Sequence, residues 1–320
     1  MSAAVGLALV LLAGLTAYAV LGGADFGAGL WDLLAFGRRK HAQRALLEQA
    51  MGPVWEANHV WLIFVVITMF SGFPSAFAAL SQRLLVPISL ALLGIVLRGA
   101  AFAFRHYAAP HGGIPVRGTE LWGRIFAISS LLTPFFLGIA GGELLSGAAM
   151  WAPLPLLGGA LAVLCCAYLA ATYLAADAAG IENAELANDF RLRAIITGVA
   201  AGALALAGLL LIPGSIPVLI VVASSVSRIG SLLLLRWKRY SLARVAAATA
   251  AATVLWGWAA ALYPWVIIPG SSVGELRFLD TAAPASTAAV VLGVLLAGLV
   301  VVTPCYALML RVLRTQPSPT

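Results

Sequence analysis

A handful of ionisable residues sit in otherwise apolar sequence, and their spacing is helical. Asp25 and Asp32 are seven residues apart, Glu56 and His59 three, Arg98 and Arg105 seven, and Arg228 stands alone further on. Separations of three and seven place each pair on one face of a helix. A glutamate beside a histidine in low dielectric can pass protons by acid–base exchange. Arginine keeps its charge there and can offset an acid. Two readings of the set follow. In one, Asp25, Asp32, Glu56 and His59 form an acidic ladder for protons, balanced by Arg98, Arg105 and Arg228. In the other, the same charges form closed ion pairs that only fix helix packing, and His59 is a hydrogen-bonded core residue. Either way each needs a partner or a purpose, because an ionised side chain at the bilayer centre costs about 2.5–3.5 kcal/mol even on the lenient insertion scale.

The elements that must position these residues are membrane helices. Of the 320 residues, 62% are hydrophobic and 10% charged, and the mean hydropathy is +1.02, well beyond the apolar content of soluble domains. Runs long enough to cross a hydrocarbon core of about 30 Å cover 3–36, 53–80, 84–106, 121–148, 154–177, 192–212, 216–235, 242–264 and 286–310. The alternating pattern of barrel strands is absent. The sequence therefore predicts an all-α polytopic protein of about nine spans, in two helical bundles plus one extra helix. It reads as one integral membrane domain, with the embedded acids in 1–150 and the Ala, Leu, Val and Gly-rich remainder in 151–320. Ala17-Tyr18-Ala19 imitates a cleavage site, but no basic residue precedes the first run and Arg38-Arg39-Lys40 follows it, so the run is expected to be retained.

Most of the 19 basic residues fall in alternate connections, with Arg38, Arg39, Lys40 and Arg44 in the first and Arg236, Lys238, Arg239 and Arg244 in a later one. The positive-inside rule then predicts the N-terminus outside and the C-terminus in the cytoplasm. The net charge of +7 reports topology, and no nucleic-acid partner is expected. Measured along an ideal helix from Arg38, Asp25 would lie about 20 Å deep and Asp32 about 9 Å. Glu56, Arg98 and Arg228, measured from Glu48, Arg105 and Arg236, would lie about 10–12 Å deep.

Local motifs refine this. Gly23 and Gly27 have the GxxxG spacing that admits a neighbouring helix beside Asp25. Trp55 and Trp61 bracket Glu56, Asn58 and His59 behind Pro53, a residue suited to a first helical turn. Cys165, Cys166 and Cys305 lack metal-ligand spacing and read as packing residues, so no metal site is expected. His41, His106 and His111 fall in connections, leaving His59 as the one histidine within a span, too few for a self-sufficient haem chain.

These residues together resemble a known family, subunit II of the cytochrome bd type quinol oxidases. The resemblance rests on Gly23-Ala24-Asp25-Phe26-Gly27-Ala28-Gly29, on Pro53-Val54-Trp55-Glu56-Ala57-Asn58-His59-Val60-Trp61-Leu62, and on Arg98-Gly99-Ala100-Ala101-Phe102-Ala103-Phe104-Arg105. It extends to the run around Pro134 and to Tyr263-Pro264-Trp265-Val266-Ile267-Ile268-Pro269-Gly270-Ser271-Ser272. It implies a multi-pass protein of a bacterial or archaeal cytoplasmic membrane, in a heterodimer with subunit I and with room for a small accessory subunit. Subunit I would hold haems b and d, this chain would bind no cofactor alone, and the complex would oxidise quinol and reduce dioxygen. The family's proton-carrying acids map onto Asp25 and Glu56. The chain departs from the family in having Gly22-Gly23-Ala24-Asp25 where a further acid is common, in Glu56 where aspartate is usual, and in a short Ile212-Pro213-Gly214-Ser215-Ile216-Pro217 connection. From the residues alone, a proton-coupled secondary transporter remains the alternative, since the same embedded charges could bind a substrate near the midplane.

Overall fold

The computed structural model describes residues 2–51, 55–107, 119–211, 215–269 and 275–315; the side chains of Trp55, Glu56 and Arg105 lie outside the described set, as do Pro53, His111 and 270–272. Among the described residues the chain is helical apart from one small hairpin, and eight helices are long and apolar enough to span, or nine if one bent pair counts as a span.

The first span is α1 (Ala3–Ala17), a π turn (Tyr18–Gly22) and α2 (Gly23–Leu33) in unbroken succession. α2 stops at Leu34, and Gly37, at φ +78°, turns the chain into the surface helix α3 (Lys40–Met51). α3 is amphipathic: Leu46 and Leu47 are buried in the core while Glu48 and Gln49 next to them are exposed. This helix lies in the connection read from sequence as 37–52, where its polarity hid it from a search for apolar runs.

The run expected over 53–80 is not one helix. α4 (Trp55–Gly72) ends at Phe73, and α5 (Pro74–Arg83) leaves at 118°. Pro74 has no N–H to continue α4 but suits the first turn of a new helix. Phe73 is fully buried, its ring 4.3 Å from that of Phe278.

The remaining helices are α6 (Leu85–Tyr107), α7 (Thr119–Ser146), α8 (Pro153–Gly180), α9 (Ala184–Leu209), α10 (Ser215–Arg236), α11 (Tyr240–Leu262) and α12 (Ala285–Thr315). Between α11 and α12, β1 (Trp265–Ile267) pairs antiparallel with β2 (Leu276–Arg277). α9 begins eight residues before the expected limit of 192. The Asn183 side chain accepts from the Leu186 N–H at 3.1 Å, capping a charged first turn that hydropathy alone had assigned to a connection.

α2, α7 and α8 form the centre. Lipid removes the hydrophobic drive between helices, so close backbone packing of small residues must hold them. A Cβ on Gly138 of α7 would fall 2.3 Å from the Gly158 carbonyl oxygen of α8, so the two backbones touch. α12 packs on α1 and α4 and leaves Val290, Val294 and Val300 exposed.

Candidate functional site

α2 is wedged between α7 and α8 by its glycines. A Cβ on Gly27 would lie 2.0 Å from the Cys166 carbonyl oxygen, and one on Gly29 would lie 2.2 Å from Ser130 Oγ. Trp31 Nε1 donates to the Ala167 carbonyl at 2.9 Å, fixing the rotation of the helix. That rotation aims Asp25 at α6.

There Arg98 meets it in a bidentate pair. Nη1 donates to Asp25 Oδ2 and Nη2 to Oδ1, both at 2.8 Å, and Nη2 also donates to the Asp25 carbonyl at 3.1 Å. Nε donates to Ser130 Oγ at 2.8 Å, and that hydroxyl donates to the Phe126 carbonyl at 2.7 Å. The guanidinium carbon lies 4.9 Å from the Phe26 ring centre and 4.8 Å from that of Phe126, a sandwich that adds cation–π attraction in a desolvated site. The side chains are 1% and 6% exposed, so the pair is screened from solvent. Both carboxylate oxygens hold a guanidinium N–H. Each oxygen keeps a second lone pair, so a proton arriving on Asp25 weakens the pair by removing the carboxylate's charge rather than by displacing an N–H.

Asp32 pairs with a different arginine. Its Oδ1 lies 3.1 Å from Arg44 Nε on α3; the carboxylate is 6% exposed and the arginine side chain 41%. The two acids thus occupy separate pairs, one at the rim of the bundle and one inside it. Asn58 of α4 is buried and donates from Nδ2 to the Leu21 carbonyl, within the π turn, at 3.3 Å. His59 is partly buried on the same helix, and Trp61 packs edge-on against Phe64 at 6.2 Å.

A family model for the cytochrome bd terminal oxidase subunit II matches residues 4–313. The chain belongs to that family. Two curated relatives align over part of its length. Cytochrome bd ubiquinol oxidase subunit 2 of Bacillus subtilis (strain 168) is 32% identical over 119 residues, 37% of this chain and 33% of the relative. Cytochrome bd-I ubiquinol oxidase subunit 2 of Escherichia coli (strain K12) is 29% identical over 133 residues, 42% of this chain and 33% of the relative. The chain therefore spans about a third of the length of these relatives in the matched stretches. A chain in the structure of bd oxidase from Geobacillus thermodenitrificans superposes with a TM-score of 0.76 at 22% identity, covering 98% of each chain, and so shares its fold.

Within this cytochrome bd subunit II fold, one depth estimate changes. The depth of Asp25 drops from about 20 Å to about 12 Å, because α2 ends at Leu33, eight residues on, and the chain then turns along the surface. That places Asp25 level with Arg98. Arg228 is buried on α10, and among the described residues its Nε and Nη1 have no hydrogen-bond partner. Gly23 and Gly27 also differ, since a Cβ on Gly23 would sit at an ordinary 3.5 Å from Cys166 Sγ.

The sequence reading missed Ser130 and the clasp at the basic end. Arg39 donates from Nε and Nη2 to Asp189 at 2.9 and 2.8 Å and from Nη1 to Glu185 at 2.9 Å. These hydrogen bonds, Asp189's first, hold the Arg39 pKa above its ordinary value. Arg193 donates to Gln43 Oε1 at 3.0 Å and lies over Trp31 at 5.1 Å and Phe190 at 5.0 Å. The clasp ties the turn after α2 to the start of α9. Its only sequence signal is the opposite charge of two connections predicted to lie on one side.

Proposed function

We propose that this chain is the haem-free second subunit of a quinol-oxidising, dioxygen-reducing complex, assembled with a haem-bearing subunit I in a bacterial or archaeal cytoplasmic membrane. Its acids carry protons inward from the basic, cytoplasmic end. The observation that carries this reading is the pair of buried acids on one face of α2: Asp32 sits against half-exposed Arg44 at the rim, and Asp25 is held by Arg98 about 10 Å deeper. Glu56 and His59 on α4 are the groups proposed to bridge that gap. The relatives' names as ubiquinol oxidase subunits supply the reaction class. The haems of the partner would supply the oxygen chemistry. This chain's part is to accept a proton at Asp32, pass it inward and hold it at Asp25.

The transporter alternative gains nothing from the break between α4 and α5. Transporters place broken helices around a polar site near the midplane. Here the break is lined by Phe73 and Phe278, and the 18-residue α4 covers about 27 Å before it.

Asp25→Asn is expected to slow oxygen consumption per haem by at least about tenfold, because an amide cannot take up a proton at neutral pH. Glu56→Gln should act in the same direction and Glu56→Asp more mildly. The measurement is turnover normalised to haem content in the purified complex; Asp25→Asn at the parental rate per haem removes Asp25 from any obligatory path. A second expectation concerns the chain alone. Expressed without a partner and purified, it should show no stoichiometric haem in its visible spectrum, since His59 is the one histidine well inside a span.

A further inference from the structure

Tyr18 opens the π turn of the first span and is 6% exposed, yet its hydroxyl has no hydrogen-bond partner among the described residues. A buried polar group left unmade is costly and needs an explanation. π turns inside helices are themselves concentrated at functional positions. The turn is built around this ring. Gly22 lies under it, where a Cβ would be 3.1 Å from Cε2, and the ring meets Phe26 edge-on at 6.4 Å and 82°. Phe26 in turn carries the Arg98 guanidinium on its face.

We infer that Tyr18 is a positioning residue that receives Arg98 when the Asp25–Arg98 pair opens, so that the closed pair can act as a proton gate. The inference rests on the proton-path reading above and deepens it. In the closed state both Asp25 oxygens are occupied by guanidinium N–H groups, and Tyr18 Oη is idle. When a proton binds one carboxyl oxygen, the negative charge that holds Arg98 is lost and the guanidinium–carboxyl hydrogen bonds weaken. An arginine cannot shed its charge, so once the carboxyl is neutral a second lone pair nearby competes for its N–H groups. Tyr18 Oη offers two, on a ring that meets Phe26, the same ring that carries the Arg98 guanidinium. When the proton leaves Asp25, the bidentate pair re-forms.

The test is Tyr18→Phe in the assembled complex. The ring and its packing are kept and only an unpartnered hydroxyl is lost, so haem content and thermal stability should match the parent. Turnover per haem should fall on the order of tenfold, and the ratio of rates in H2O and D2O should rise as the proton step becomes limiting. Gly22→Ala, which presses the ring without deleting the hydroxyl, should slow turnover in the same way. Tyr18→Phe turnover at the parental rate overturns the inference. So does slow turnover with an unchanged isotope ratio, or failure to assemble, since each assigns the hydroxyl a structural role. If Asp25→Asn is slow while Tyr18→Phe is normal, only this inference fails; if Asp25→Asn is normal, the proton-path reading itself fails.

Discussion

Arg98→Leu is expected to remove most of the assembled complex. The substitution strips a buried carboxylate of both charge-assisted hydrogen bonds, and of the arginine that also holds its carbonyl and Ser130. Breaking a buried pair by deleting one partner typically costs about 3–5 kcal/mol, a large fraction of the roughly 5–15 kcal/mol that keeps a domain folded. The loss is local to the contact of α2 with α6 and α7, so it should appear as low haem content and a lower unfolding temperature. The double replacement Asp25→Leu with Arg98→Leu separates packing from chemistry. Replacing both partners by apolar side chains is often neutral or stabilising, so the double variant should recover assembly while leaving turnover per haem low. If Arg98→Leu assembles and melts like the parent, the pair is irrelevant to stability. If the double variant turns over normally, the pair is irrelevant to proton movement.

Span positions were legible in the sequence because hydropathy reports what must be in lipid, and eight helices agree with the predicted runs to within a few residues at most ends. What hydropathy does not report is what happens at the rim and inside a run. α3 and the first turns of α9 carry charged residues, so a search for apolar stretches passes over them. The break at Phe73 is apolar on both sides and is marked only by Pro74. At the site, Asp25 and Arg98 stood out because a charge inside an apolar run is rare. Their partnership was not legible, since it depends on how α2 is rotated. That rotation is set by Gly27, Gly29 and the Trp31 hydrogen bond to Ala167, features that read in sequence as one more glycine-rich patch. Counting depth from Arg38 failed for a related reason: five of the residues counted as helix, 34–38, lie beyond the end of α2.

The rotation makes a strong prediction about two glycines that share one motif. At Gly27 an added Cβ would lie 2.0 Å from the Cys166 carbonyl oxygen, 2.4 Å from its carbon and 2.8 Å from Ala170 Cβ. The first two are backbone of a long helix and cannot swing aside, so α2 must move away from α8. At Gly23 the nearest atoms are Cys166 Sγ and Leu169 Cδ1, both at 3.5 Å, an ordinary contact. Gly27→Ala is therefore expected to be severely disruptive and Gly23→Ala close to neutral, although both keep a small residue. Overpacking typically costs about 1–3 kcal/mol and more where nothing can yield. Here the displacement also pulls Trp31 off the Ala167 carbonyl and draws Asp25 out of line with Arg98, so losses compound. The readout is yield and haem content of the complex for the two variants side by side, followed by thermal unfolding of whatever assembles. Parental stability in Gly27→Ala would mean that α2 does not rest on α8 as described, and with it the geometry that aims Asp25 at Arg98 would fall.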